Sequence, residues 1–163
     1  MHISRNVVGA LASLPFALAL GAVTADAATA AEVTVNIARV KAIDPPDAFS
    51  KGDFYARVTI DGETQKTEHV KQSVDIKPNW KISKKVKPGV IKVKVEILDK
   101  DVSQDDPIDI NRVDGKRDLD FTIDTRSCRI EGFSEPYKCG QSITRVGKEK
   151  KAAGITMSVG VKN

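Results

Sequence analysis

The sequence predicts an all-β fold, an antiparallel eight-stranded sandwich, and three observations carry that expectation. Apolar residues recur at every second position in one segment after another, the pattern of strands with a single buried face. Turn-forming pairs such as Asp61-Gly62 and Pro88-Gly89 separate these segments at short intervals. No segment carries a convincing 3.6-residue apolar period, which leaves no helix from which to build a mixed fold.

At the start of the chain, Arg5 precedes an apolar run from Val7 to Val23 that closes on Ala25-Asp26-Ala27. A short basic region, an apolar core of this length and small residues at alternate positions predict a secretory signal peptide over 1–27. Removing it leaves 163 − 27 = 136 residues, enough for one domain with a real core over 28–163. No later run approaches the length of a transmembrane segment, so a soluble, exported chain is expected.

Val33, Val35 and Ile37 then give a first strand. The stretch from Ile43 to Asp53 is rich in Pro, Gly and Asp and reads as a loop. Phe54, Ala56, Val58 and Ile60 resume the alternation, Asp61-Gly62 is a hairpin signal, and a polar strand returns from Glu63 to Val70. Pro78 interrupts the pattern before Trp80, Ile82 and Val86 point one way. Further strands follow at Ile91, Val93, Val95 and Ile97, at Leu119, Phe121 and Ile123, and at Ile155, Met157, Val159 and Val161. Cys128 and Cys139, an even count in an exported chain, predict one disulfide closing a short loop over 128–139.

The formal charge of +4 is unevenly spread. Lys77, Lys81, Lys84, Lys85, Lys87, Lys92 and Lys94 crowd the middle of the chain, and Lys81, Lys85, Lys92 and Lys94 are the candidates for contact with an anionic partner. Lysines also guard exposed sheets against aggregation, and that reading stays open. Nothing points to nucleic acid.

The acids concentrate where the strand ending at Ile97 runs out. Asp99, Asp101, Asp105, Asp106 and Asp109 follow within a dozen residues. Carboxylates about 4 Å apart repel by roughly 1 kcal/mol in water and by more near a protein surface, so a cation would relieve them. Hard oxygen donors without nearby His or Cys favour calcium or magnesium. Aspartates that merely bond their own turn backbone are the alternative. With Asp99 as first ligand, an EF-hand would place its Gly at Gln104 and its Glu at Ile110, so that motif is excluded.

Four landmarks in chain order resemble the C2 domain family over roughly residues 32–124. Asp47 and Asp53, running into Phe54-Tyr55-Ala56-Arg57-Val58, look like its first calcium loop and the strand that follows. Pro78-Asn79-Trp80 resembles its middle N-P-x-W stretch in inverted order. Asp99-Lys100-Asp101 and Asp105-Asp106 look like its third loop, about one residue short. The segment from Ser127 to Gly154 has no counterpart in the family. The resemblance implies that Asp47, Asp53, Asp99, Asp101 and Asp106 ligate Ca2+, with Asp44, Asp75 and Asp105 in second rank. It places Phe49 and Val102 at loop tips that would touch a membrane or partner, although Phe49 could equally tuck under its own loop.

The mature chain holds one histidine, His69, in a polar strand, where it reads as a surface residue. A nucleophile elbow, a metalloprotease pair and a phosphate-cradling Gly loop are missing, and acids crowded in loops suit cation binding better than glycoside hydrolysis. The expectation is a secreted, non-enzymatic, calcium-binding C2-like module that meets an anionic surface, whether lipid, polysaccharide or an extracellular protein. A metal-independent extracellular interaction or structural protein is the alternative.

Overall fold

A computed structural model describes residues 30–44, 52–71 and 73–163. The expected signal peptide, Asp47 and Phe49 lie outside the described residues. Among the described residues there are twelve strands: β1 (Ala31–Ala42), β2 (Phe54–Ile60), β3 (Glu63–Lys66), β4 (Asp75–Ile76), β5 (Trp80–Val86), β6 (Val90–Asp99), β7 (Asp106–Ile108), β8 (Leu119–Asp124), β9 (Arg129–Glu131), β10 (Tyr137–Lys138), β11 (Ile143–Val146) and β12 (Ala153–Lys162). The expected sandwich is there, but the count of eight is corrected to twelve. The extra strands, such as β4, β7 and β10, span two or three residues, too few for an alternation to show.

The first sheet is built around β1, which pairs antiparallel with β12 along its whole length, from Glu32 opposite Lys162 to Ala42 opposite Ala153. A bulge between Ile37 and Arg39 shifts the register, so the buried series Val33, Val35, Ile37 resumes at Val40 rather than at an odd position. On its other edge β1 meets β5 and then β4. These two are one edge strand interrupted at Lys77-Pro78-Asn79, where Pro78 lacks a donor and Asn79 adopts φ 50°. β11 closes the far side against β12.

The second sheet is centred on β6. β2 pairs with it on one side, while β7 and β8 share the other, β7 against Ile97–Asp99 and β8 against Val90–Val95. β3 extends the sheet beyond β2 through a turn with left-handed Asp61 and Gly62, φ 48° and 77°. β9 and β10 extend it beyond β8. Inward residues of both sheets, including Val35, Ile37, Val58, Val95, Phe121, Ile123, Ile155 and Val159, form one buried core.

Between β8 and β11 the Cys128–Cys139 disulfide is formed as expected. Phe133 inside its loop packs on Phe121 with ring centroids 5.3 Å apart and meets Tyr137 edge-on, while the Arg145 guanidinium lies 4.6 Å from the Phe133 centroid. The segment without a family counterpart is thus closed on itself by the disulfide and tied to the second sheet by the β8–β9 pairing and an aromatic cluster.

Candidate functional site

The sheet registers assemble one acidic end of the sandwich. Phe54 lies opposite Asp99 in the β2–β6 pair, and Asp106 lies opposite Asp99 in the β6–β7 pair, so the loop before β2 and the loop after β6 leave the sheet side by side. The Asp53 amide donates to Asp99 Oδ1 at 2.6 Å, and the Lys100 amide donates to the Asp53 carbonyl at 3.1 Å. Asp99 is only 4% exposed, so this carboxylate has left bulk water and depends on bonds of this charge-assisted kind.

The loop from Lys100 to Asp105 folds back over β2. Tyr55 points to the outer face of its sheet yet is buried, and its hydroxyl donates to Asp105 Oδ2 at 2.6 Å. Burial first, and then the adjacent Asp105 carboxylate, push the Tyr55 phenol up to about 12. The Tyr55 hydroxyl, helped by the Asp101 amide at 3.2 Å, holds Asp105 below the usual carboxylate range. Val102, which the family resemblance marks as a candidate contact residue, is fully exposed in this loop.

Two residues that sequence reasoning passed over complete this end. Lys151, in the turn before β12, forms an ion pair with Asp106. Asp109 is fully buried, and its carboxylate accepts the amides of Asn111 at 2.9 Å, Lys148 at 2.8 Å and Glu149 at 2.7 Å. It thereby pins the 147–151 turn to the strand leaving the acidic loop. Gly147 is required there, because a Cβ would lie 2.1 Å from the Asp109 carbonyl oxygen. Asp109 reads in sequence as one more acid in a run, and no local signal marks its partners some forty residues away.

Of the second-rank acids, Asp44 is exposed beside this end, its amide donating to the Ala152 carbonyl at 3.2 Å. Asp75 is held in β4 by a two-pronged bond from Arg39, at 2.8 and 2.6 Å, which lowers its carboxyl. Among the described residues, no group of three or more His, Cys, Asp or Glu side chains is placed to hold a metal ion. Asp53, Asp99 and Asp101 carry the hard oxygen donors that such a cation takes, but none of them stands free, and Tyr55 and Lys151 engage Asp105 and Asp106.

The basic residues divide between the two outer faces. Lys81 and Lys85 are exposed on β5, in the first sheet, opposite Asn36 and Glu32. Lys92 and Lys94 project from β6, in the second sheet. Lys94 pairs with Asp118 at 2.6 Å and lies 3.6 Å from Glu96, which also binds Arg57 at 2.7 Å, so that face is a ladder of alternating charge. The four lysines therefore form no single basic surface. Outward alternation was legible in the sequence; which sheet each strand joins was not.

A family model described as the C2 domain matches residues 31–123. Comparison with curated protein sequences finds no match. Solved structures similar to this chain include human GIVD cytosolic phospholipase A2 with a fluorophosphonate inhibitor and terbium chloride, at 15% identity and TM-score 0.54, covering 82% of this chain and 17% of that one. This chain thus corresponds to about a sixth of that protein. A C2 domain of plant Extended Synaptotagmin 1 aligns at 10% identity and TM-score 0.56, covering 80% and 93% of the two chains. The calcium-bound pair of C2 domains of Extended-Synaptotagmin 2 aligns at 13% identity and TM-score 0.55, covering 80% of this chain and 45% of that one. At these identities the likeness is one of fold.

Proposed function

The chain belongs to the C2 domain family, and from that premise we propose that it is a secreted, non-enzymatic module that binds calcium at the acidic end of its sandwich and attaches to an anionic surface. The observation that carries this reading is the Asp53–Asp99 junction, which joins two loops far apart in sequence around a nearly buried carboxylate. Asp53, Asp99 and Asp101, with Asp47 from the preceding loop, are the proposed ligands; Asp106 contributes only where Lys151 yields it. Bound calcium would neutralise these carboxylates and present positive charge to an anionic headgroup or polymer. The chain's own part is orientation and charge. Val102 stands at the loop tip, and Lys81 and Lys85 line the outer face of the first sheet.

The fold is one that some neighbours carry within larger proteins, and the calcium-bound Extended-Synaptotagmin 2 structure supports the choice of metal. Export rests on the leader at 1–27. The contacts Tyr55–Asp105 and Lys151–Asp106 favour a second reading, in which the acidic end is neutralised from within and attachment is independent of metal.

Calorimetric titration of residues 28–163 with calcium, with magnesium as control, tests the first reading, and co-sedimentation with vesicles of neutral or anionic lipid tests attachment. Calcium binding together with calcium-dependent sedimentation on anionic vesicles supports the proposal. Sedimentation unaffected by calcium or chelator replaces it with the second reading.

A further inference from the structure

A cleft of about 240 Å³ lies between the loop that follows Ile110, the start of β8, the disulfide loop and β11. Part of its wall, Phe133, Ser134 and Arg145, falls outside residues 31–123, the stretch that the family model matches. Three cations meet there, Arg112 and Lys116 from the loop and Arg145 from β11. Among the described residues none of the three forms an ion pair. Against them the lining sets one carboxylate, Asp120, which leaves an excess of 3 − 1 = 2 positive charges. The walls are fixed by the fold. The Val113 amide donates to Asn111 Oδ1 at 3.0 Å, the Asn111 side-chain amide donates to the Asp118 carbonyl, and the Gly115 amide donates to Glu149 Oε1 at 2.6 Å. Across the cleft, Gly132 at φ 118° passes so close to β8 that a Cβ would lie 2.8 Å from Phe121 Cα, and this approach sets Phe133 on Phe121.

Arg145 is the least satisfied of the three cations. Its guanidinium lies 4.6 Å from the Phe133 centroid and 5.3 Å from that of Tyr137, and Nη1 donates to the Thr144 carbonyl at 2.9 Å. Nη2 is buried and has no acceptor among the described residues. A guanidinium stripped of water at one nitrogen and given no counter-charge is costly until an anion completes it. We propose that this cleft binds a carboxylate carried on a body about the size of one sugar ring, independently of calcium. Arginine forks match the planar carboxylate, and its single charge suits a wall that also holds Asp120 better than the two charges of sulfate or phosphate. The cleft is smaller than the roughly 300–1,000 Å³ of sites for drug-sized ligands, so the occupant is small. Leu119 and Phe133 offer an apolar wall to the face of a ring, and Asp120 and Ser134 offer acceptors to its hydroxyls. Because Nη2 is covered, Arg145 acts first through its charge, and a direct bond from Nη2 follows when the guanidinium slides along the two rings.

The test is calorimetric titration of the 28–163 chain in chelator and at low salt, where exposed charges are least screened. Glucuronate is the probe, glucose and sulfate are the controls, and a galacturonate trimer stands for an acidic polymer. Glucuronate is expected to bind saturably, roughly tenfold more tightly than glucose and about threefold more tightly than sulfate. Arg112→Gln with Lys116→Gln changes two exposed side chains and is expected to weaken binding about tenfold with the melting temperature unchanged. Arg145→Lys keeps the charge but loses the fork, and is expected to weaken binding severalfold. A trimer that binds more tightly than glucuronate assigns the site to an acidic polysaccharide, and equal affinity assigns it to the free acid. Absence of saturable glucuronate binding, equal affinity for glucose or sulfate, or full affinity in the Arg112→Gln, Lys116→Gln variant overturns the site. Glucuronate binding that appears only with calcium puts the carboxylate on the metal, and so overturns this site while leaving the proposed function standing.

Discussion

The Asp53 amide donates to the Asp99 carboxylate across forty-six residues of sequence, at 2.6 Å, and so makes the two loops one structural unit. Asp99→Ala removes the acceptor in a nearly dry site and is expected to destabilise by about 1–3 kcal/mol even in chelator. Asp99→Asn keeps an oxygen acceptor and should cost less without metal, yet it should abolish stabilisation by calcium. For a site of about 0.1 mM affinity, calcium at about 2 mM should add roughly 1.8 kcal/mol, several degrees in melting temperature. Equal calcium shifts in wild type and Asp99→Asn would remove Asp99 from the ligand set.

Asp109 and Gly147 make a second, metal-independent prediction. Asp109→Ala withdraws a buried acceptor from three amides and should destabilise by about 3 kcal/mol. Gly147→Ala forces a Cβ against the Asp109 backbone and should cost about 1–3 kcal/mol. Chemical denaturation measures both, and calcium should rescue neither.

Tyr55 and Asp105 set limits at both ends of the pH scale. Tyr55 is pushed up to about 12 in the folded chain, above its ordinary value near 10. Its stabilisation is therefore complete below about pH 10 and is lost as pH rises toward 12. Asp105 is lowered, so its contribution is complete above the ordinary carboxylate range and is lost as pH falls through its folded value. Tyr55→Phe should lower the melting temperature at neutral pH and flatten both edges. A phenolate titration of Tyr55 at its ordinary pH would contradict this account.

The division of lysines between faces predicts an asymmetric response. Lys81→Glu with Lys85→Glu should weaken sedimentation on anionic vesicles severalfold, whereas Lys92→Glu with Lys94→Glu should change it little and disturb stability instead, through Asp118 and Glu96. Binding through the first face should fall with salt, since exposed charges are screened beyond about 8 Å at physiological ionic strength. Equal losses from the two double variants would refute a single binding face.

The Cys128–Cys139 link closes a loop with a sequence separation of 11. Replacing both cysteines by serine should cost roughly 3 kcal/mol in the chain-entropy model. Because Phe133 and Tyr137 also anchor this loop, calcium affinity at the acidic end should be unaffected, as titration of the double variant can show.

The long strands were legible because each buries one face. Val33, Val35 and Ile37 in β1 and Val93, Val95 and Ile97 in β6 announce themselves by alternation, and so does β12. β7 was hidden inside the acidic run, since Asp106-Pro107-Ile108 has no period to detect. The acids were legible as a group, but their partners were not. Tyr55 looks like an outward strand residue until the loop from Lys100 covers it, and Lys151 is one lysine in a Lys-Glu-Lys-Lys string until β12 docks. Pairing between distant segments is decided by the closed fold and leaves no trace in local pattern.

The pairing of β1 with β12 also governs how this molecule comes into being. It joins positions as distant as Glu32 and Lys162, 130 residues apart by subtraction (162 − 32). Contacts of such span form slowly, because the entropy of the intervening chain is lost before the pairing rewards it. Lys151 lies two positions before β12, so the counter-charge it brings to Asp106 is expected to arrive at the rate at which the sandwich closes.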